Sequence, residues 1–197
     1  MIDMPVRVGM PLDEFLAEME LAPFELIDGK KKPLMSTVLG PGDFAILLYD
    51  IIRFFLRDQR ILGKLLHEIT FILPNPQDTQ WVKGSRIPDL MFYADTRYSD
   101  YLSNTPDYYE RPLPLVPDLV VEVISPTDNY NDVEKKVELY LQDGVRMVWV
   151  VNPQHKTIIV HLPDQTSTRL SGDAVLSGGD VLAGFELKLS ELFATNS

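Results

Sequence analysis

Apolar positions along this 197-residue chain fall into runs of helical and of strand-like spacing, and the changes between them mark its elements. Leu12, Phe15, Leu16 and Met19 recur at helical intervals and predict a short amphipathic helix over 11–20. Phe24 to Leu34 reads as a hairpin turning at Asp28-Gly29. A longer helix is expected over 43–58, behind Pro41-Gly42, with Asp43 as its cap. It is apolar on most sides, through Phe44, Leu47, Leu48, Ile51, Ile52, Phe54 and Phe55 among others. Such a helix is either centrally buried or shared with a second subunit.

Residues 65–73 predict a strand, followed by a loop rich in proline and polar residues and a strand over 87–94. Residues 97–114, rich in Tyr, Asp and Pro, read as an irregular excursion. The capping residues Asp128 and Asn129 introduce a helix over 131–142, which Gly144 terminates. Strands follow at Val145–Val151 and Thr157–Leu162 around a turn at 152–156, then near 168–171. Leu182–Leu187 ends in a helical turn at 189–193. With no repeat and no linker, the order predicts one α/β domain over 1–197 built on a mixed sheet.

Chemistry enters at Pro117-Asp118-Leu119-Val120-Val121-Glu122-Val123-Ile124-Ser125-Pro126. This is a β-branched, apolar run with one carboxylate in its middle, and Glu122 shares a face with Val120 and Ile124. A carboxylate there is costly unless a cation, a metal or several donors meet it. Residues 86–93, Arg86-Ile87-Pro88-Asp89-Leu90-Met91-Phe92-Tyr93, repeat the design. On the 131–142 helix, Lys136 lies at the flank of the apolar stripe and Lys135 nearly opposite to it. Lys136 is therefore the expected companion of Glu122. From these residues alone a structural ion pair and a functional site both account for the buried carboxylate.

Composition narrows the classes. Eighteen Lys and Arg against 29 Asp and Glu give a net charge of −11, which argues against a broad electrostatic grip on nucleic acid. The local positive clusters are Lys30-Lys31-Lys32 and the spread of Arg53, Arg57, Arg60 and Lys64. The absence of cysteine removes disulfides and thiolate chemistry and fits a reducing compartment. No secretory signal is visible, and the greasy segment 44–56 is broken by Asp50 and Arg53 and too short to span a bilayer. A cytoplasmic protein with no membrane contact is expected. His67, His155 and His161 lack metal-ligand spacing, Ser125 lacks a nucleophile elbow, and no phosphate loop or dinucleotide fingerprint occurs.

Glu25-Leu26-Ile27-Asp28-Gly29, then Pro88-Asp89, then the strand from Pro117 to Pro126 together resemble the Uma-two family. Lys136 four residues before Tyr140, Gly144-Val145, Val151-Asn152-Pro153 and Gly184-Phe185-Glu186-Leu187 extend the resemblance over most of the chain. That family is restriction-endonuclease-like and belongs to the PD-(D/E)XK nuclease superfamily. The resemblance implies a mixed central sheet flanked by helices, with a metal site where two adjacent strands diverge. Asp89 matches the family's Pro-Asp aspartate, and Glu122 the acidic residue of the next strand. Ile124 holds the place of the superfamily's lysine, which family members supply from the following helix, here as Lys136. Glu25 matches an early acidic residue, while a histidine frequent at the start of the long helix is absent at Gly42-Asp43.

The implied function is Mg²⁺- or Mn²⁺-dependent hydrolysis of nucleic-acid phosphodiester bonds, with DNA the expected nucleic acid. Asp89 and Glu122 would hold the metal, and Lys136 and Glu25 would complete the catalytic set. A homodimer is expected from the apolar helix of 43–58 and from the habits of the superfamily. Two alternatives stand beside the enzyme: a non-catalytic binding or regulatory module on the same fold, and a hydrolase of small phosphate esters.

Overall fold

In the computed structural model of the chain, residues 7–34, 39–126 and 128–194 are described. Residues 1–6, part of the stretch searched for a secretory signal, lie outside them. A two-residue strand, β1 (Met10–Pro11), leads into α1 (Leu12–Leu21) and the strands β2 (Phe24–Ile27) and β3 (Lys30–Pro33). The long helix α2 (Leu39–Asp58) precedes β4 (Lys64–His67), β5 (Phe71–Asn75), β6 (Asp78–Arg86) and β7 (Leu90–Tyr93). Next come α3 (Arg97–Asn104), a 3₁₀ turn at Tyr108–Glu110, β8 (Leu119–Val123), α4 (Tyr130–Asp143) and β9 (Met147–Asn152). The chain closes with β10 (Thr157–His161), β11 (Ser167–Ser171), β12 (Val175–Ser177), β13 (Glu186–Lys188) and α5 (Leu189–Ala194).

Two compact units divide these elements. The first gathers Met1–Ser36, Ile69–Ile87 and Thr105–Val116. Its three-stranded sheet runs β1-β6-β5, and β2 and β3 form the expected hairpin. Asp28 and Gly29 both take positive φ, 50° and 73°, as a two-residue hairpin turn matching strand twist requires. Phe15, Phe24, Leu26, Ile72 and Val82 make its core, with the Phe15 and Phe24 rings edge to face at 5.4 Å.

The second unit gathers Thr37–Glu68, Pro88–Asn104 and Pro117–Ser197 around a six-stranded sheet in the order β11-β10-β9-β8-β7-β4. β8 and β9 are parallel, joined through α4, and every other neighbouring pair in this sheet is antiparallel. The sheet is therefore mixed, as expected. Phe44, Leu48, Ile52 and Leu56, each four residues on, turn one face of α2 into a core with Leu119, Val121, Val123, Trp149 and Val151. Alternation along β8 sends Val120 and Glu122 to the opposite face. α4 is anchored at both ends. Asn129 accepts a hydrogen bond from the Asn131 N–H at 2.9 Å, and Gly144 closes the helix at φ 106°.

Four local expectations are corrected. Asp43 does not cap α2, since the helix begins at Leu39 and carries Pro41 in its first turn, where a missing N–H costs nothing. The strand expected over 65–73 is broken: β4 ends at His67, Glu68 takes φ 50°, and β5 starts at Phe71. The expected loop after it is the β5–β6 hairpin, whose register slips at Pro74, a residue with no N–H to give the ladder. Residues 97–114 contain the helix α3, whose stripe of Tyr98, Tyr101 and Leu102 is short and only half-buried.

Candidate active site

The site forms where β7 and β8 part. Leu90 pairs with Val121 in the antiparallel register, so Asp89 and Glu122 are the next residues on their strands beyond that pair. The Asp89 carboxylate folds over the end of β8, and its Oδ2 accepts the Val123 N–H at 2.6 Å. The peptide of Glu68 approaches from the end of β4, its N–H donating to the Asp89 carbonyl at 3.2 Å. Burial, and then the neighbouring Glu122 charge, push the Asp89 carboxyl up from the usual carboxylate range to about 7. Glu68 adds to that rise, while the Val123 N–H and the Lys136 ammonium oppose it.

Glu122 is met from α4. The Lys136 ammonium stands 3.2 Å from Oε1 and 3.1 Å from Oε2, and the Tyr140 hydroxyl donates to Oε1 at 2.5 Å. Lys136 and Tyr140 are one helical turn apart, so both point at the same carboxylate from one face. The pair is largely sheltered, with side chains 20% and 12% exposed for Lys136 and Glu122. Such an arrangement can hold two anionic groups and one movable ammonium in a confined space.

The fold therefore brings together Asp89, Glu122 and Lys136. Glu25 belongs to the first unit, where it is buried and its Oε1 accepts the Ile87 N–H at 3.0 Å. Asp118, at the other end of β8, serves a different purpose. It takes the Ala94 N–H at 2.9 Å, and the guanidinium groups of Arg97 and Arg146 pair with it.

The family described as "Uma2: Putative restriction endonuclease" matches over residues 12–190. The chain belongs to the Uma2 family. A solved structure described as "a putative nuclease belonging to DUF820 from Anabaena variabilis ATCC 29413" superposes with a TM-score of 0.70. The match covers 94% of this chain and 98% of that one, at 22% sequence identity, a likeness of fold. No curated protein matches the chain. The architecture of this Uma2 member is restriction-endonuclease-like, with a mixed central sheet between helices.

The donor chemistry of the Uma2 site fits a hard divalent cation. Asp89 and Glu122 offer only oxygen ligands, and a bound cation would offset the burial and the Glu122 charge that raise the Asp89 carboxyl. Mg²⁺ is commonly held by one or two carboxylates, with water and phosphate filling the remaining positions. Among the described residues, no group of three or more His, Asp and Glu side chains stands together as a metal set.

Tyr140 and Glu68 are the members that sequence reasoning missed. Tyr140 reads as one more residue of the apolar stripe on α4, and its position four after Lys136 is the signal that could have found it. Glu68 stands opposite Asp89 because the β4–β7 register, in which His67 faces Leu90, continues by one residue, a cross-strand pairing that the residue pattern does not announce.

Proposed function

We propose that the protein is a metal-dependent endonuclease that hydrolyses phosphodiester bonds in nucleic acid, DNA in the first instance. The observation that carries this reading is the buried Asp89 carboxyl, raised to about 7 beside Glu122, with Lys136 bonded to both Glu122 oxygens. A buried carboxylate pair beside a lysine is costly to keep for stability alone.

In this reading Asp89 and Glu122 hold Mg²⁺ or Mn²⁺. The ion, when bound, supplies positive charge to the scissile phosphate and acidifies a water. The Val123 N–H fixes the Asp89 carboxylate in place, and Asp89 would hold the cation in its deprotonated form. The Tyr140 hydroxyl fixes the Glu122 plane. Lys136 would orient the attacking water or meet charge developing on the phosphate oxygens. Glu25 is proposed as a further acidic group on the family resemblance alone.

A homodimer belongs to the same reading, through the face of α2 that leaves Ile46 59% and Phe54 48% exposed. Phe54→Glu is expected to give a monomer in sedimentation. The net charge of −11 favours the rival reading, a non-catalytic module on the nuclease fold. Incubating the protein with single-stranded and duplex DNA in Mg²⁺ and in Mn²⁺ separates the two. Cleavage that disappears in EDTA and in Glu122→Gln supports the enzyme; an uncut substrate under all conditions supports the module.

A further inference from the structure

One row of side chains crosses the α4 face of the six-stranded sheet. Glu122 on β8 is in register with Val150 on β9, Val150 with Ile159 on β10, and Ile159 with Arg169 on β11. An open groove of about 460 Å³ lies over the far end of this row. Val150 and Ile159 are on its floor and Val133 of α4 on its wall, one helical turn before Lys136. Tyr130, a residue 70% exposed and hydrogen-bonded to Glu134, stands at the groove, and Asp128, Glu134, Asn152 and Arg169 line its edges. Glu122 and Lys136 do not line the groove, which lies on the side of Glu122 away from Asp89. Neighbouring strands lie about 4.8 Å apart, so its floor begins one strand from Glu122 and Arg169 lies about 14 Å away along the backbone row.

We propose that this groove seats one unpaired nucleobase of the substrate, so that the protein acts on single-stranded or locally unpaired nucleic acid. The proposal rests on the nuclease reading for the phosphate it places at Asp89 and Glu122. The base lies on Val150 and Ile159 against the exposed Tyr130 ring, and Arg169 takes a neighbouring phosphate. An apolar floor with polar edges matches the π-face and hydrogen-bonding rim of a base. Glu134 would repel a phosphate but accepts an N–H from a base edge. A base inside a duplex is stacked and paired and cannot enter such a groove. The charge of −11 agrees, since duplex affinity draws on many phosphate contacts, whereas single-strand binding draws much of its strength from stacking.

The test is fluorescence anisotropy with a short labelled single-stranded oligodeoxynucleotide and its duplex, with Ca²⁺ as the divalent ion. The wild type is expected to favour the single strand at least tenfold. Tyr130→Ala, which removes an exposed ring, and Ile159→Trp, which fills the floor, should each weaken single-strand binding roughly 5- to 100-fold. Tyr130→Ala should keep the wild-type melting temperature, so its loss of binding cannot be a loss of fold. No saturable single-strand binding, equal or tighter duplex binding, or single-strand binding untouched by both variants overturns the proposal. Cleavage in Mn²⁺ tells the two readings apart. Variant-sensitive single-strand binding without cleavage keeps the groove and sinks the nuclease; variant-insensitive duplex cleavage does the reverse.

Discussion

The Lys136 ammonium of α4 lies 3.1 and 3.2 Å from the two carboxylate oxygens of Glu122 on β8. The contact joins a strand and the helix that follows it, across a loop that neither residue belongs to. The lysine comes from the helix after β8, while Ile124 stands two residues beyond Glu122. Removing the ammonium should therefore cost both activity and stability. Lys136→Ala is expected to lower kcat at least a hundredfold with little change in KM, and, because the pair is largely sheltered, to cost about 3 kcal/mol of stability. Steady-state cleavage beside a denaturation curve checks both numbers.

Asp89 sets a pH dependence. Its carboxyl is raised in the folded protein to about 7 from an ordinary value near 3.8, so the folded state binds a proton more tightly than the unfolded chain. That contribution is complete below the unfolded pKa and is lost as pH rises from about 4 through about 7. Urea denaturation across this range should show stability falling, and Asp89→Asn should flatten that part of the profile. The variant should also be at least as stable as the wild type at pH 8.

Metal binding should follow the same titration with the opposite sign. A cation that replaces the Asp89 proton binds more weakly below pH 7 and releases close to one proton on binding there. Calorimetry of Mn²⁺ binding near pH 6 in two buffers of different ionisation enthalpy measures the proton count. An isotherm independent of pH would show that Asp89 is not a ligand.

Tyr140 is fully buried and its hydroxyl donates to Glu122 at 2.5 Å. Tyr140→Phe keeps the ring and its packing but removes the donor. A charge-assisted hydrogen bond of this kind is worth roughly 1.5–3 kcal/mol. At about 2–4 °C per kcal/mol for a chain of this size, the melting temperature should drop by several degrees. Scanning calorimetry of the variant reads it.

Asp118 serves as a control for the site. It is 7% exposed and ties β8 to the Ala94 peptide and to Arg97 and Arg146. Both arginines are well exposed, so their share is screened. Asp118→Ala should destabilise the protein by roughly 2 kcal/mol, chiefly through the unpaired Ala94 N–H, and leave the Mn²⁺ isotherm of the folded protein unchanged.

Much of the site was legible before the fold was known. A lone carboxylate in a β-branched run demands a partner, and the helical wheel of residues 130–143 selects Lys136 over Lys135. Glycine at 144 and the Asp28-Gly29 turn likewise announce themselves through conformations other residues resist. The misses have physical reasons. α3 is eight residues long and its Tyr98, Tyr101 and Leu102 stripe is only half-buried, so a short helical period was lost among the polar and proline residues around it. The strand β6 alternates poorly because its first residues, Asp78, Thr79 and Gln80, are polar and sit at its more exposed end, which disguised it as a loop. Glu68 escaped because it meets Asp89 across the β4–β7 register, a long-range pairing that the residue pattern does not reveal.

The most direct test of the metal centre is a Mn²⁺ titration by calorimetry of the wild type and of Glu122→Ala, both verified as folded by circular dichroism. The account predicts one or two saturable sites in the wild type that are lost in the variant. An isotherm identical in the two proteins, or no site at millimolar metal in the wild type, would contradict it.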